Sequence, residues 1–277
     1  MHTHSSLGIA TIVVAVLLSP INVASAPQGR VSATAIARPE PAISLGAPNA
    51  GSLVRGDRLE PSDHIRIVPA WNHPDYRWGL PELVRMVRRS ASTVNEKFGP
   101  CKLSIGDMSS RTGGTLRKHK SHQSGRDVDI SFYMIDRDGA PVYHSSFVAF
   151  DDAGLANTLP GVRFDDARNW ALIEALLRDP TARVQSIFVS NALRKRLLLE
   201  AEKQGASRSI RLEAARVMSL PDGAGPHADH FHVRIGCPSS QGAACETWVR
   251  APSVDSVVYE NTKAESKSRG KRRRGGS

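Results

Sequence analysis

His230-Phe231-His232-Val233-Arg234-Ile235 alternates polar and apolar side chains residue by residue, and Asp127-Val128-Asp129-Ile130-Ser131-Phe132 does the same. Successive side chains on a strand point to opposite faces, so this period of two predicts two strands. Val128, Ile130 and Phe132 can then face a core while Asp127 and Asp129 share the other side. Phe231, Val233 and Ile235 can pack inward in the same way, leaving His230, His232 and Arg234 together. Each strand is thereby expected to present a polar face rich in metal-binding groups.

Five of the ten histidines fall in two short clusters, His119 with His122, and His227 with His230 and His232. Buried polar groups without partners are costly, so such a concentration calls for a common partner. A hydrolytic zinc site uses three nitrogen or oxygen ligands from the protein and leaves a fourth tetrahedral position to water. Two neutral histidines and one aspartate leave the ion net positive, which lowers the water's pKa and polarises a carbonyl. Spacing alone leaves the ligands open. His230 and His232 can both face one ion, or one can bind while the other handles protons, and Asp127 and Asp129 pose the same choice.

Outward from these strands the pattern is that of an α+β domain. Leu80-Pro81-Glu82 opens a helix with proline in its first turn, and Leu83, Val84, Val87, Ala91, Val94 and Phe98 recur at helical spacing until Gly99. A second helix is predicted after Asp165, running through Trp170, Ile173 and Leu177 to the Asp179-Pro180 break. A third spans Ala192 to Lys203, and Val184 to Val189 reads as a buried strand between them.

The flanks read differently. The apolar run Leu7 to Leu18 followed by Ala24-Ser25-Ala26 predicts an export signal over residues 1–26. Its cleavage point stays open, because the n-region lacks Lys or Arg and Pro27 follows Ala26. Residues 27–50, rich in Ala, Pro, Ser and Gly, read as a linker, 51–250 as one catalytic domain, and 251–277 as a disordered basic tail. Of the net charge of +10, residues 263–277 carry +6, which leaves +4 for the rest. The body is therefore only mildly basic, and no specific nucleic-acid partner is expected. The tail can hold the chain to an anionic polymer or a membrane surface by charge alone. Cys237 and Cys245, eight apart around Pro, Gly and Ser, suit a disulfide-closed loop in an oxidising compartment, with Cys101 left as a buried thiol.

Ser121-His122-Gln123-Ser124-Gly125-Arg126-Asp127-Val128-Asp129 fits an H-x-x-G-x-x-x-D motif, and His230-Phe231-His232 fits H-x-H. Together they resemble the lysostaphin, D-Ala-D-Ala metallopeptidase and hedgehog superfamily. The closer resemblance is to the penicillin-insensitive murein endopeptidases. It includes Ile105-Gly106-Asp107-Met108, Gly113-Gly114, His119, His227 and the run from His232 to Pro238. The resemblance implies a small central antiparallel sheet flanked by helices, carrying one Zn2+ on His122, Asp129 and His232. It places His230 and His227 beside the metal as the catalytic pair, with Asp229 the rival base. His119, Asp107 and Asp127 are expected to orient ligands or line the site.

The implied activity is metal-activated hydrolysis of D-alanyl–diaminopimelate crosslinks in peptidoglycan peptides, in the periplasm or otherwise outside the cytoplasm. The wall peptide is anionic, and Lys118, Arg126 and Arg234 are the cations of these motifs that can meet its carboxylates. Two other readings use the same residues: a D,D-carboxypeptidase or D-Ala-D-Ala dipeptidase, and a zinc-stabilised wall-binding module that cuts nothing. Retention of His227 and His230, which a purely structural zinc does not require, argues against the last.

Overall fold

The structure is a computed structural model that describes residues 40–220 and 225–247. The expected signal segment, residues 27–39 of the linker and the basic tail lie outside the described residues, as does 221–224 of the loop before His227.

The two quoted stretches are strands, and they pair with each other. We label the principal strands β1 (Ile43–Ala47), β2 (Ala50–Val54), β3 (Ile65–Ile67), β4 (Leu103–Ile105), β5 (Asp127–Ser131), β6 (Val184–Phe188), β7 (Met218–Ser219) and β8 (His230–Ile235). The helices are α1 (Pro81–Phe98), α2 (Asp166–Leu177), α3 (Asn191–Lys203) and α4 (Arg208–Val217). The central sheet is six-stranded in the order β7-β6-β8-β5-β4-β3. β8 lies antiparallel between β6 and β5, with His232 opposite Asp129, Arg234 opposite Asp127 and His230 opposite Ser131. That register puts both polar faces on one side of the sheet.

The sheet is antiparallel only at its centre, which corrects the simpler sheet implied by the resemblance. β3 pairs with β4, and β6 with β7, in parallel. Parallel neighbours need a long crossover connection. α1 lies in the chain between β3 and β4, and α3 with α4 between β6 and β7. Short side sheets complete the fold, among them Met134–Ile135 with Pro141–Val142 and Arg163–Phe164.

The apolar face of the sheet and the helices share one core. Val128, Ile130, Phe231, Val233 and Ile235 pack into the same buried cluster as Leu83, Val87 and Val94 of α1 and Trp170, Leu172, Ile173 and Leu176 of α2. α1 starts at Pro81 and stops where Gly99 takes a positive φ of 81°. α2 begins where Asp165 accepts a hydrogen bond from the Arg168 amide. α4, absent from the sequence reading, buries only Ile210, Ala214 and Val217 and is otherwise mostly charged or small.

Residues 43–50, expected within the linker, belong to a hairpin in which β1 pairs with β2 along its whole length. The side chains β1 buries are the small Ser44 and Ala47 while Leu45 is exposed, so this strand shows no apolar alternation in the sequence. This hairpin is tied to the other end of the chain. Cys237 and Cys245 form the expected disulfide, and Cys101 is a buried free thiol. Arg126, fully buried, donates to Gly46 O at 3.1 Å and Glu246 O at 2.5 Å, and contacts Cys237 Sγ at 3.1 Å. It thus clamps hairpin and disulfide loop against the start of β5, and is not the substrate contact its sequence position suggested.

Replacing Arg126 by Met is expected to cost about 2–4 kcal/mol, since it removes the charge-assisted hydrogen bonds to Gly46 O and Glu246 O that close the clamp. Urea unfolding checks this, and a loss below about 1 kcal/mol would refute the clamp. The Cys237→Ser/Cys245→Ser double variant should lose roughly 2–3 kcal/mol, the loop-closure entropy of so short a ring.

Candidate metal centre

β5, β8 and the turn at His122 that precedes β5 bring three potential ligand atoms into a tight triangle. His232 Nδ1 lies 3.0 Å from Asp129 Oδ1 and 3.2 Å from His122 Nε2, and His122 Nε2 lies 3.3 Å from Asp129 Oδ1. A tetrahedral zinc ion with bonds of about 2.0–2.1 Å needs roughly 3.3–3.4 Å between its ligand atoms, so the donor set fits in chemistry and in spacing. His119 reaches the same carboxylate from the other side, its Nδ1 3.7 Å from Asp129 Oδ2. One donor atom each from His119, His122 and Asp129 also lies within 4.8 Å of the others. His119 is therefore a fourth potential donor, although its Nε2 is engaged by Asp107 Oδ2 at 2.9 Å.

The backbone presents these groups under strain. His122 and His227 both have left-handed φ values, 66° and 43°. Such conformations are uncommon outside glycine and persist where the surroundings hold them. For His122 the holder is Asp127, whose Oδ2 accepts from the His122 amide at 3.0 Å.

Asp127 organises more than that turn. Its Oδ1 accepts from Arg234 Nε at 2.6 Å and lies 3.1 Å from His232 Nε2. A hydrogen bond from Nε2 directs the lone pair of Nδ1 toward the triangle, which selects the tautomer a metal requires. Arg234, whose side chain is only 4% exposed, is thus engaged inside the protein and does not face substrate.

The electrostatics follow from packing so many titratable groups together. Burial opposes the charge on Asp127, yet the Arg234 guanidinium and the bond to His232 hold its carboxyl well below the usual range. Burial opposes the charge on Asp129 too, and His122 and His230 pull it well down. Burial lowers the pKa of His122, which favours the neutral ligand form. His232 goes the other way: burial would lower it, but Asp127 and Asp129 on its two ring nitrogens raise it to about 9. A cation in the triangle and the proton on Nδ1 therefore compete.

His230 sits beside the triangle. Its Nδ1 is 2.7 Å from Asp229 Oδ1 and its Nε2 is 3.7 Å from Asp129 Oδ1. Asp229 thus lies behind the ring, on the side away from the triangle. His227 Nδ1 approaches Gly225 O at 2.7 Å, and burial lowers its pKa.

Aromatic rings invisible to the motif reading complete the wall. Phe188 stacks on His232 at 5.0 Å and 11°, and Phe147 stacks on His230 at 4.7 Å and 17°. Trp71 stacks in turn on Phe147 at 5.2 Å. Gly106 is the one trace of this in the sequence, since a Cβ there would stand 2.4 Å from Phe147 Cζ.

Two outcomes are expected. Asp127→Asn should leave a folded protein whose zinc affinity falls about 10–100-fold, measured by chelator competition. An unchanged affinity would exclude its orienting role. The second concerns pH. A histidine whose folded pKa is raised contributes stability that is complete below its unfolded value near 6.5 and is lost as pH rises through its folded value. With His232 at about 9, chelator-treated protein should lose melting temperature between pH 6.5 and about 9. Zinc-loaded protein, in which the proton is displaced, should show no such fall over that window.

The penicillin-insensitive murein endopeptidase family model matches residues 44–270. Proteins named penicillin-insensitive murein endopeptidase are similar along most of the chain. Those of Escherichia coli O157:H7 and Escherichia coli K12 are each 29% identical, over 262 and 263 residues, covering 91% of this chain and 85% of theirs. That of Shigella dysenteriae serotype 1 is 28% identical over 263 residues with the same coverage. A match spanning the hairpin, both metal-centre strands and the disulfide loop establishes that the chain belongs to the penicillin-insensitive murein endopeptidase family.

Proposed function

We propose that this protein is a zinc peptidase that hydrolyses peptide crosslinks of peptidoglycan outside the cytoplasm, at D-alanyl–diaminopimelate type bonds. The observation that carries the reading is the triangle of His122 Nε2, Asp129 Oδ1 and His232 Nδ1, with His230 poised beside it and backed by Asp229. Its relatives' shared name supplies the substrate. The export signal expected over residues 1–26 and the disulfide fit such a location.

In this reading His122, Asp129 and His232 hold the ion, and Asp127 orients His232. When bound, the ion supplies Lewis acidity that activates water and polarises the scissile carbonyl. The chain's own residues manage the protons. His230, giving its Nδ1 proton to the hydrogen bond with Asp229, keeps a lone pair on Nε2 and takes the proton of the attacking water. Asp229 then stabilises the resulting imidazolium, which can hand that proton to the leaving amine. In this reading Asp229 is a positioning partner and His230 the general base, an assignment the 2.7 Å contact of His230 Nδ1 with Asp229 Oδ1 supports. His227, with Nδ1 turned to the Gly225 carbonyl, offers Nε2 as an acceptor that can hold a substrate N–H.

The test is digestion of purified crosslinked peptidoglycan with and without chelator, followed by mass spectrometry of the released muropeptides. Chelator-sensitive conversion of crosslinked dimers to monomers is expected. His230→Ala should keep its zinc while losing about 10²-fold or more of the turnover. Intact dimers with folded, zinc-loaded protein would overturn the reading, and loss of terminal D-Ala alone would make the protein a carboxypeptidase instead.

A further inference from the structure

Of the three cations in the site motifs, Arg126 and Arg234 are committed to the interior, which leaves Lys118. Its side chain is exposed and forms no ion pair among the described residues. Its backbone nevertheless has a left-handed φ of 73°. Four non-glycine positions among the described residues share that conformation, and three of them, Lys118, His122 and His227, lie at or next to the metal centre. A strained backbone maintained at an exposed lysine points to a use for its side chain.

The side chain also has a defined seat. Lys118 Nζ lies 5.6 Å from the centre of the Trp71 ring, and Trp71 is in turn 6.2 Å from the ring of His119. Trp71, Phe147 and His230 form a continuous ladder, with centroid steps of 5.2 and 4.7 Å and small interplanar angles. One end of the ladder is the general base of the proposed reaction, and the other carries an ammonium group on an aromatic face. Its span, roughly 10 Å, accommodates about three residues of extended peptide. Aromatic faces suit aliphatic stems, and an ammonium beside low-polarity surface favours a carboxylate more than one in open water does.

We propose that Lys118 and the Trp71–Phe147 shelf form a subsite for a free carboxylate on an aliphatic peptide arm of the substrate. The inference rests on the peptidase reading above and adds the chemical feature by which that site recognises its substrate.

The experiment uses one synthetic crosslinked peptide made in two forms, with free carboxylates and as the carboxamide. KM and kcat are measured on the zinc-loaded protein, and binding to chelator-treated protein is followed by tryptophan fluorescence. Wild type is expected to bind the free acid about 10-fold more tightly than the amide, with the difference in KM rather than kcat. Lys118→Ala should bind the two forms equally, and Lys118→Arg should keep part of the preference. Arg117→Ala, which removes the same charge one residue away, should keep all of it. Both peptides cut with no preference in wild type, or a preference that survives in Lys118→Ala, would overturn the subsite and leave the peptidase standing. Neither peptide cut by folded, zinc-loaded protein would overturn both.

Discussion

The buried carboxylate of Asp127 is the point on which the candidate metal centre depends. A charge taken out of water must be matched by hydrogen bonds or it unfolds its surroundings. Asp127 is matched three ways, by the His122 amide, by His232 Nε2 and by Arg234 Nε. Each of those partners is thereby fixed in turn. The His122 backbone is held in a turn it would otherwise leave, the His232 ring is held in one orientation, and Arg234 is kept inside. Two of the three candidate ligands are therefore positioned by a residue that touches no ion itself.

Around this hub the fold supplies enclosure rather than chemistry. The polar faces of β5 and β8 are nearly as buried as their apolar faces, with His119 and His122 from the segment before β5 and the rings of Phe147 and Phe188 packed on them. Arg126 joins two segments far apart in sequence by bonding both to the hairpin at Gly46 and to Glu246 beyond the disulfide. Burial raises the cost of every unpaired charge and sharpens every paired one. Here the partners outweigh the cost of burial: Arg234 and the histidines hold Asp127 and Asp129 well below the ordinary carboxylate range, and the two aspartates push His232 up to about 9.

The reactive side of the site is built on different terms. His230 is only half-buried, is anchored by one carboxylate, and is held flat by a stacked phenyl ring. A base must be aimed and yet reachable, and stacking aims a ring without consuming its lone pair. Gly106 is what lets Phe147 lie so close. The candidate ligands are thus locked by hydrogen bonds in the interior, and His230, the proposed base, is located by packing at its rim.

Much of this was legible in the residues themselves. Alternation identified β5 and β8 and which side chains share a face, helical spacing identified α1, α2 and α3, and short-range spacing identified the disulfide. These signals are local, since a strand's period and a helix's period are properties of adjacent residues. α4, whose apolar stripe is short, and the first strand of the hairpin, which buries only small side chains, carry no such local signal. Only the tertiary structure decided the rest. It set the register that places His232 against Asp129, assigned Asp229 a place behind His230, and turned Arg126 and Arg234 inward while leaving Lys118 outside. It also gathered Trp71, Phe147 and Phe188 from distant segments around the histidines. The reason is physical: a lone sequence records what each residue can do, whereas partners far apart in the chain are chosen only when packing brings them within a few ångströms.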